Sequence, residues 1–152
     1  MEIIDIREEP ELIDILSEYH QKEWGHLCLG ETLEGRKGRM RIFLKDEFIP
    51  TMYVAKKNGN PAGSVAIVEN DMDTKPEIMP WMAFVYVFPE YRRQGLGSVL
   101  VKHIMGKTRE KGIKKMYLFT ETQENFYLKF GWQSISREKY HGSNVVIMDV
   151  DL

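Results

Sequence analysis

Val85-Tyr86-Val87-Phe88-Pro89-Glu90-Tyr91-Arg92-Arg93-Gln94-Gly95-Leu96-Gly97-Ser98 is the stretch on which the fold turns. Its first residues close Trp81 to Phe88, a continuous apolar run whose length and aromatic content predict a strand buried on both faces. Its last residues open a helix, because Leu96, Val99, Leu100, Ile104 and Met105 recur at helical spacing and Lys111-Gly112 supplies favourable C-terminal chemistry. Between them lies a glycine-rich turn. A turn of this kind presents several backbone N–H groups together with the positive end of a helix dipole, a ready site for phosphate. Gly95 and Gly97 allow a ligand close to the backbone, and Arg92 and Arg93 can add charge-assisted contacts, so pyrophosphate is the natural guest. On spacing alone, a plain capping and packing role for the glycine pair stays equally open. The chain has no G-x-x-x-x-G-K-[ST], which excludes a P-loop, and no G-x-G-x-x-G, so the dinucleotide fingerprint is missing.

Working outward, Met1 to Arg7 alternates Ile3, Ile4 and Ile6 with acids and predicts a strand. Pro10 then opens a helix carrying Leu12, Ile13, Leu16, Tyr19 and Trp24. Residues 25 to 50 are punctuated by glycines, and Met40, Phe43, Leu44 and Phe48 suggest a second helix ending before Pro50. Met52 to Lys57 and Ala62 to Glu69 flank Asn58-Gly59-Asn60-Pro61, a hairpin signal because Asn-Gly readily takes positive φ. After the central strand, loop and helix come a strand at Met116 to Thr120, a short helix at Glu124 to Lys129 stopped by Gly131, and a closing hairpin from Gln133 to Lys139 and Val145 to Val150. The order β-α-α-β-β-β-α-β-α-β-β predicts a mixed α/β (α+β) sheet of six to seven mostly antiparallel strands, with helices on both faces and one central parallel pair.

The 152 residues fit a single domain, residues 1–152, with a core large enough to need no disulfide or structural metal. Twenty-one basic against 23 acidic side chains give a net charge of −2, so no global field draws the chain to nucleic acid or an anionic membrane. The longest apolar run is far below the roughly 20 residues that span a bilayer, and Met1 to Arg7 lacks a signal pattern, which predicts a cytoplasmic protein. One cysteine, Cys28, can form no internal disulfide, and His20, His26, His103 and His141 show no metal-ligand spacing.

The turn and the strand before it resemble motif A of the GNAT superfamily of acetyl-CoA-dependent N-acetyltransferases, whose core is R/Q-x-x-G-x-G/A. Arg92, Gly95 and Gly97 fit that core. Phe126-Tyr127-Leu128-Lys129-Phe130-Gly131-Trp132 resembles the family's motif B, F-Y-x-x-x-G-[FYW]. The chain departs from many motif B segments in carrying Thr120 and Gln123 where they have Asn and Ala. The resemblance implies that Val85, Tyr86 and Val87 face pantetheine through main-chain groups and that Arg92, Arg93, Gln94, Gly95, Leu96, Gly97 and Ser98 wrap the pyrophosphate. It also implies Asn125 as a substitute contact to coenzyme A, Tyr127 as the acid that protonates the departing thiolate, and a homodimer through the last strands. Similarity to a narrower bacterial subgroup, itself related to the enzyme acetylating the actin N-terminus, rests on Glu23-Trp24-Gly25 and Pro80-Trp81-Met82-Ala83 among others.

The acceptor side is less marked. An ammonium group must lose a proton before it attacks a thioester. The acids near the expected cleft are Glu69, Asp71, Asp73, Glu77 and Glu121, of which Asp71 and Glu121 are preferred as base because they sit at loop positions where ligands gather in open α/β sheets. Trp24 and Trp81, with Tyr86, are candidate walls of an acceptor pocket, since aromatic faces attract ammonium groups. Cys28 has no activating base nearby in sequence, so direct attack is expected over an acetyl-enzyme. The expected acceptor is a small-molecule primary amine; a protein or peptide N-terminus, and a non-catalytic acyl-CoA sensor, are the alternatives.

Overall fold

The computed structural model describes residues 1–152. Seven strands form one sheet in the order β1-β2-β3-β4-β5-β7-β6. They are β1 Glu2–Asp5, β2 Thr51–Lys57, β3 Asn60–Val68, β4 Trp81–Val87, β5 Lys115–Thr120, β6 Gln133–Tyr140 and β7 Ser143–Asp151. All neighbours are antiparallel except β4 and β5. The β2–β3 turn takes the expected two-residue form, with Asn58 at φ 53° and Gly59 at φ 81°. The closing hairpin enters the sheet through its second strand, so β7 lies beside β5 and β6 forms the edge.

Four helices cover the sheet: α1 Leu12–Trp24, α2 Leu33–Met40, α3 Leu96–Glu110 and α4 Glu124–Leu128. Period-2 alternation along β2 and β3 sends Met52, Val54, Ala66 and Val68 to one face and Ala55, Val65 and Ile67 to the other. The first set packs against Ile13 and Leu16 of α1, Met40 of α2 and Phe43; the second packs against Leu96, Leu100 and Ile104 of α3 and Tyr127 of α4. The second helix lies earlier than its apolar residues suggest. Thr32 caps it by accepting the Gly35 N–H at 2.9 Å, whereas residues 41–44 tighten into a single 3-10 turn. A side-chain cap inside a glycine-punctuated segment thus overrides the apolar pattern of 40–48.

Two features of β4 prepare a site. It pairs with β5 only at Trp81↔Tyr117, where the Tyr117 N–H donates to the Pro80 carbonyl at 3.0 Å, and beyond that point the two strands part. The β3–β4 register also slips, from Ser64↔Tyr86 to Ala66↔Ala83, so β4 carries one extra residue. Phe84 sits in that bulge at φ 54°, a left-handed conformation that costs a bulky aromatic residue about 1–3 kcal/mol. The bulge resets the alternation: Ala83 and Phe84 both face the α1 side, while Val85 turns toward α3.

Candidate active site

The strained residue is held at both ends. The Ser64 hydroxyl donates to the Phe84 carbonyl at 2.7 Å, and His20 Nε2 lies 3.0 Å from the same hydroxyl oxygen. Because Ser64 has one proton and spends it on Phe84, His20 must donate from Nε2 and keep Nδ1 bare. Nδ1 is indeed buried without a partner. Burial, reinforced by the Arg36 charge, lowers the His20 imidazole to about 3, which keeps it in that neutral form. The imidazole also stacks on the Phe84 ring, 5.1 Å between centroids and 14° from parallel. His20 and Ser64 carry no motif. The signal available in sequence was only a histidine on the apolar face of α1.

Between β4 and α3 the glycine turn uses its two glycines differently. Gly95, at φ 80°, is the N-cap of α3, and no side chain caps the first-turn N–H groups there. Gly97 is a packing residue: a Cβ on it would lie 3.3 Å from Phe126 Cζ of α4. A side chain at 97 would crowd Phe126, so glycine lets the two helices approach closely. Arg92 Nε donates to the Val87 carbonyl at 2.9 Å and its guanidinium sits 5.3 Å above the Tyr86 ring. Gln94 accepts a hydrogen bond from Lys57, while Arg93 is exposed at φ 63°. Leu96 is buried in the core, Ser98 is half-buried in the first turn of α3, and Asn125 is exposed on α4.

A cavity of about 1080 Å³ is walled by the 23–50 segment, residues 68–73 at and beyond the end of β3, residues 82–85 of β4 and residues 118–123 at and beyond the end of β5. Trp24, Met40 and Phe43 on its lining belong to the α1 face, whereas Val85 and Tyr127 belong to the α3 face. The cavity therefore passes between β4 and β5, from one side of the sheet to the other. Trp24, Asp71, Val85, Glu121 and Tyr127 meet there as the sequence predicts, with Glu69 and Asp73 beside them, whereas Glu77 does not line it. Two expected pocket walls do not. Trp81 is completely buried, with Nε1 donating to the Ile78 carbonyl at 2.8 Å, and Tyr86 packs 5.8 Å from both Tyr19 and Trp24. Both side chains are claimed by the α1-side core on which β4 is laid.

The two acids differ in state. Asp71 is in a half-buried position that water can touch but protein surrounds, and this desolvation raises its carboxyl to about 7 against the opposing Arg39 charge. Glu121 is paired, with His26 Nε2 2.9 Å from Oε1. A second pair, His141 Nε2 to Asp73 Oδ2 at 3.0 Å, lies near it, and His141 Nδ1 bonds the Leu27 carbonyl. These contacts tie the turn after α1 to the loops after β3 and β5. Burial raises the Tyr127 hydroxyl, so it stays a neutral phenol. Its ring packs edge-on against Phe126 and Trp132 at 5.1 and 6.3 Å. No group of three His, Cys, Asp or Glu side chains is placed to hold a metal ion, and no helix is long and apolar enough to cross a membrane.

A sequence model described as the acetyltransferase (GNAT) family matches residues 9–132. No curated protein sequence matches the chain. Among solved structures, an aminoglycoside 6'-N-acetyltransferase complexed with coenzyme A superposes with a TM-score of 0.76 at 15% identity, covering 99% of this chain and 97% of that one. A ribosomal-protein-alanine N-acetyltransferase from Brucella melitensis gives 0.72 at 16% identity with both chains fully covered. A GNAT family acetyltransferase from Elizabethkingia anophelis with acetyl-CoA bound gives 0.54 at 18% identity over 68% of this chain and 76% of that one. At these identities the likeness is one of fold.

Proposed function

Because the chain belongs to the acetyltransferase (GNAT) family, we propose that it is an acetyl-CoA-dependent N-acetyltransferase acting by direct attack on a primary amine of a small molecule. One observation carries this reading: the gap between β4 and β5 opens into a cavity with a raised carboxyl and a neutral phenol on its wall.

Along β4 beyond Trp81, the edge facing β5 has no strand partner, and Phe84 and Val85 have no ladder partner on β3 either. Apart from the Phe84 carbonyl, which Ser64 holds, these main-chain groups suit an extended pantetheine chain lying in the gap, and an N–H fixed there would stabilise the oxyanion that forms as the amine adds to the thioester. The first-turn N–H groups of α3, with Arg93 beside them, suit the pyrophosphate. On the other side, Asp71 near neutrality is matched to taking the ammonium proton, whereas Glu121 is already engaged by His26. Tyr127 then donates to the departing thiolate, whose ordinary pKa of about 8.5 makes it a fair leaving group even unaided. A walled cavity of this size favours a small acceptor over a polypeptide lying across an open groove.

The test is isothermal titration with acetyl-CoA, with ATP and NAD as controls, followed by thiol release with a panel of amines. Selective saturable binding and amine-dependent release of free coenzyme A are expected. A folded protein that fails to bind acetyl-CoA at millimolar concentration would refute the proposal.

A further inference from the structure

The cavity contains a cation with no counter-charge. Arg36 of α2 lines it yet is only 1% exposed. Its Nε donates to Gln21 Oε1 at 2.7 Å, and Gln21 is fixed in turn by the hydrogen bond that its Nε2 donates to the Glu31 main-chain carbonyl at 3.1 Å. Nη2 is sealed from solvent without any partner. Arg36 forms no ion pair, and the carboxylate of Glu31, whose main-chain carbonyl Gln21 holds, pairs with Arg39 at 2.7 Å. A guanidinium cannot shed its proton, so a buried one without a carboxylate is destabilising on its own and is stabilised by an anion that pairs with it. Arg36 and Phe84 of the β4 bulge line the same cavity.

We propose that Arg36 binds a carboxylate of the acceptor, so that the substrate class is amines that also carry a carboxylate. The inference rests on the acetyltransferase reading and specifies its acceptor. A guanidinium fork matches a carboxylate in geometry as well as charge. The same cavity offers carboxylates, Asp71 and Glu69 among them, to the ammonium end. A bipolar acceptor satisfies both ends, whereas a purely cationic polyamine would leave Arg36 unpaired and be repelled by it. The phosphates of coenzyme A are not the occupant, because the glycine turn that suits them leads into α3 on the opposite face of the sheet.

The experiment compares kcat/KM for matched amines: glycine, β-alanine, 4-aminobutanoate and a set of L-amino acids, each against its own amide. Wild type should prefer a carboxylate over its amide by about tenfold or more. Arg36→Met should lose that preference while keeping acetyl-CoA affinity, and it should melt no lower than wild type, since it removes an unpaired buried charge. Arg36→Lys, which keeps the charge without the fork, should retain only part of the preference. Equal use of amides and acids by wild type, or a preference that survives Arg36→Met, overturns the inference and leaves the acetyltransferase reading intact. If acetyl-CoA does not bind, that reading fails separately. The anion site is then judged by thermal protection with succinate, which must be present in wild type and absent in Arg36→Met for it to stand.

Discussion

Ser64→Ala tests whether the β4 bulge is actively held in place. Ser64 is completely buried and links two groups: it accepts from His20 Nε2 at 3.0 Å and donates to the Phe84 carbonyl at 2.7 Å. Alanine removes both bonds with almost no change in volume. The His20 N–H is left sealed and unpaired, which costs roughly 1–3 kcal/mol, and the Phe84 carbonyl, next to the cavity, about 1 kcal/mol more. A loss of roughly 2–4 kcal/mol in a chain of this size lowers Tm by about 4–16 °C. Function should suffer further, because Phe84 at φ 54° is no longer held against its strain and the main chain of 84–85 can relax. The expected outcome is a fall in kcat of about tenfold or more, measured by thiol release at saturating acetyl-CoA, with a smaller change in acetyl-CoA affinity. His20→Gln is the companion, since its amide can still donate to Ser64. In wild type, protons that the unfolded His20 binds near pH 6.5 are refused by the native state down to about pH 3. His20 therefore erodes stability as pH falls through that window, at about 1.4 kcal/mol per pH unit, and His20→Gln should flatten that slope. A Ser64→Ala protein with lowered Tm and unchanged kcat would refute the positioning argument, and one with unchanged Tm would refute the network itself.

Three further substitutions probe the remaining parts. Tyr127→Phe should lower kcat about tenfold or more with little effect on acetyl-CoA binding, and a rate-limiting chemical step that is indifferent to it would make the ring structural. Asp71→Asn should abolish the rise of kcat/KM with an apparent pKa near 7. It should also raise stability at pH 8 relative to wild type, because the native carboxyl holds its proton up to about 7 while the unfolded one releases it near 3.8, so this contribution is lost as pH rises through that window. Gly97→Val should cost about 1–3 kcal/mol by overpacking against Phe126, seen in chemical denaturation, and should weaken acetyl-CoA binding as α3 and α4 are pushed apart.

The element order was legible because each local signal agreed with its neighbour. The Asn58-Gly59 turn, the doubly buried run of β4 and the glycine start of α3 all stand where their chemistry requires. The bulge was not legible, since an apolar run reads the same with or without one extra residue; only pairing with β3 reveals that Phe84 is out of step. Trp81 and Tyr86 show the same limit, as an aromatic residue on a buried strand gives no sign of whether its face meets a helix or a cavity. Tyr127, Asp71 and Glu121 do line one cavity, but sequence could not tell that Glu121 would be engaged by His26 while Asp71 would be desolvated. Those states depend on loops contributed by distant parts of the chain.

The division between what was readable and what was not follows the division of the sheet. The α3 face carries the glycine turn and regular strand packing, features that local spacing and periodicity record. The α1 face carries the irregular features: a left-handed Phe84, a neutral buried histidine, an unpaired arginine and a raised carboxyl. Each is unfavourable in isolation; Phe84, Arg36 and Asp71 line one cavity and His20 stacks on Phe84 behind it, as expected where stability is given up for a ligand. The two faces communicate through the gap between β4 and β5, closed at one end by the Trp81↔Tyr117 pairing. On the proposed function, changes on α2 alter acceptor choice without touching the groups assigned to acetyl-CoA, and changes at Gly97 do the reverse. Only the bulge belongs to both sides. Its residues line the cavity while the Phe84 ring and carbonyl are held from α1 and β3, so on the proposed function positions 20, 64 and 84 are where acceptor and cofactor chemistry cannot be varied independently.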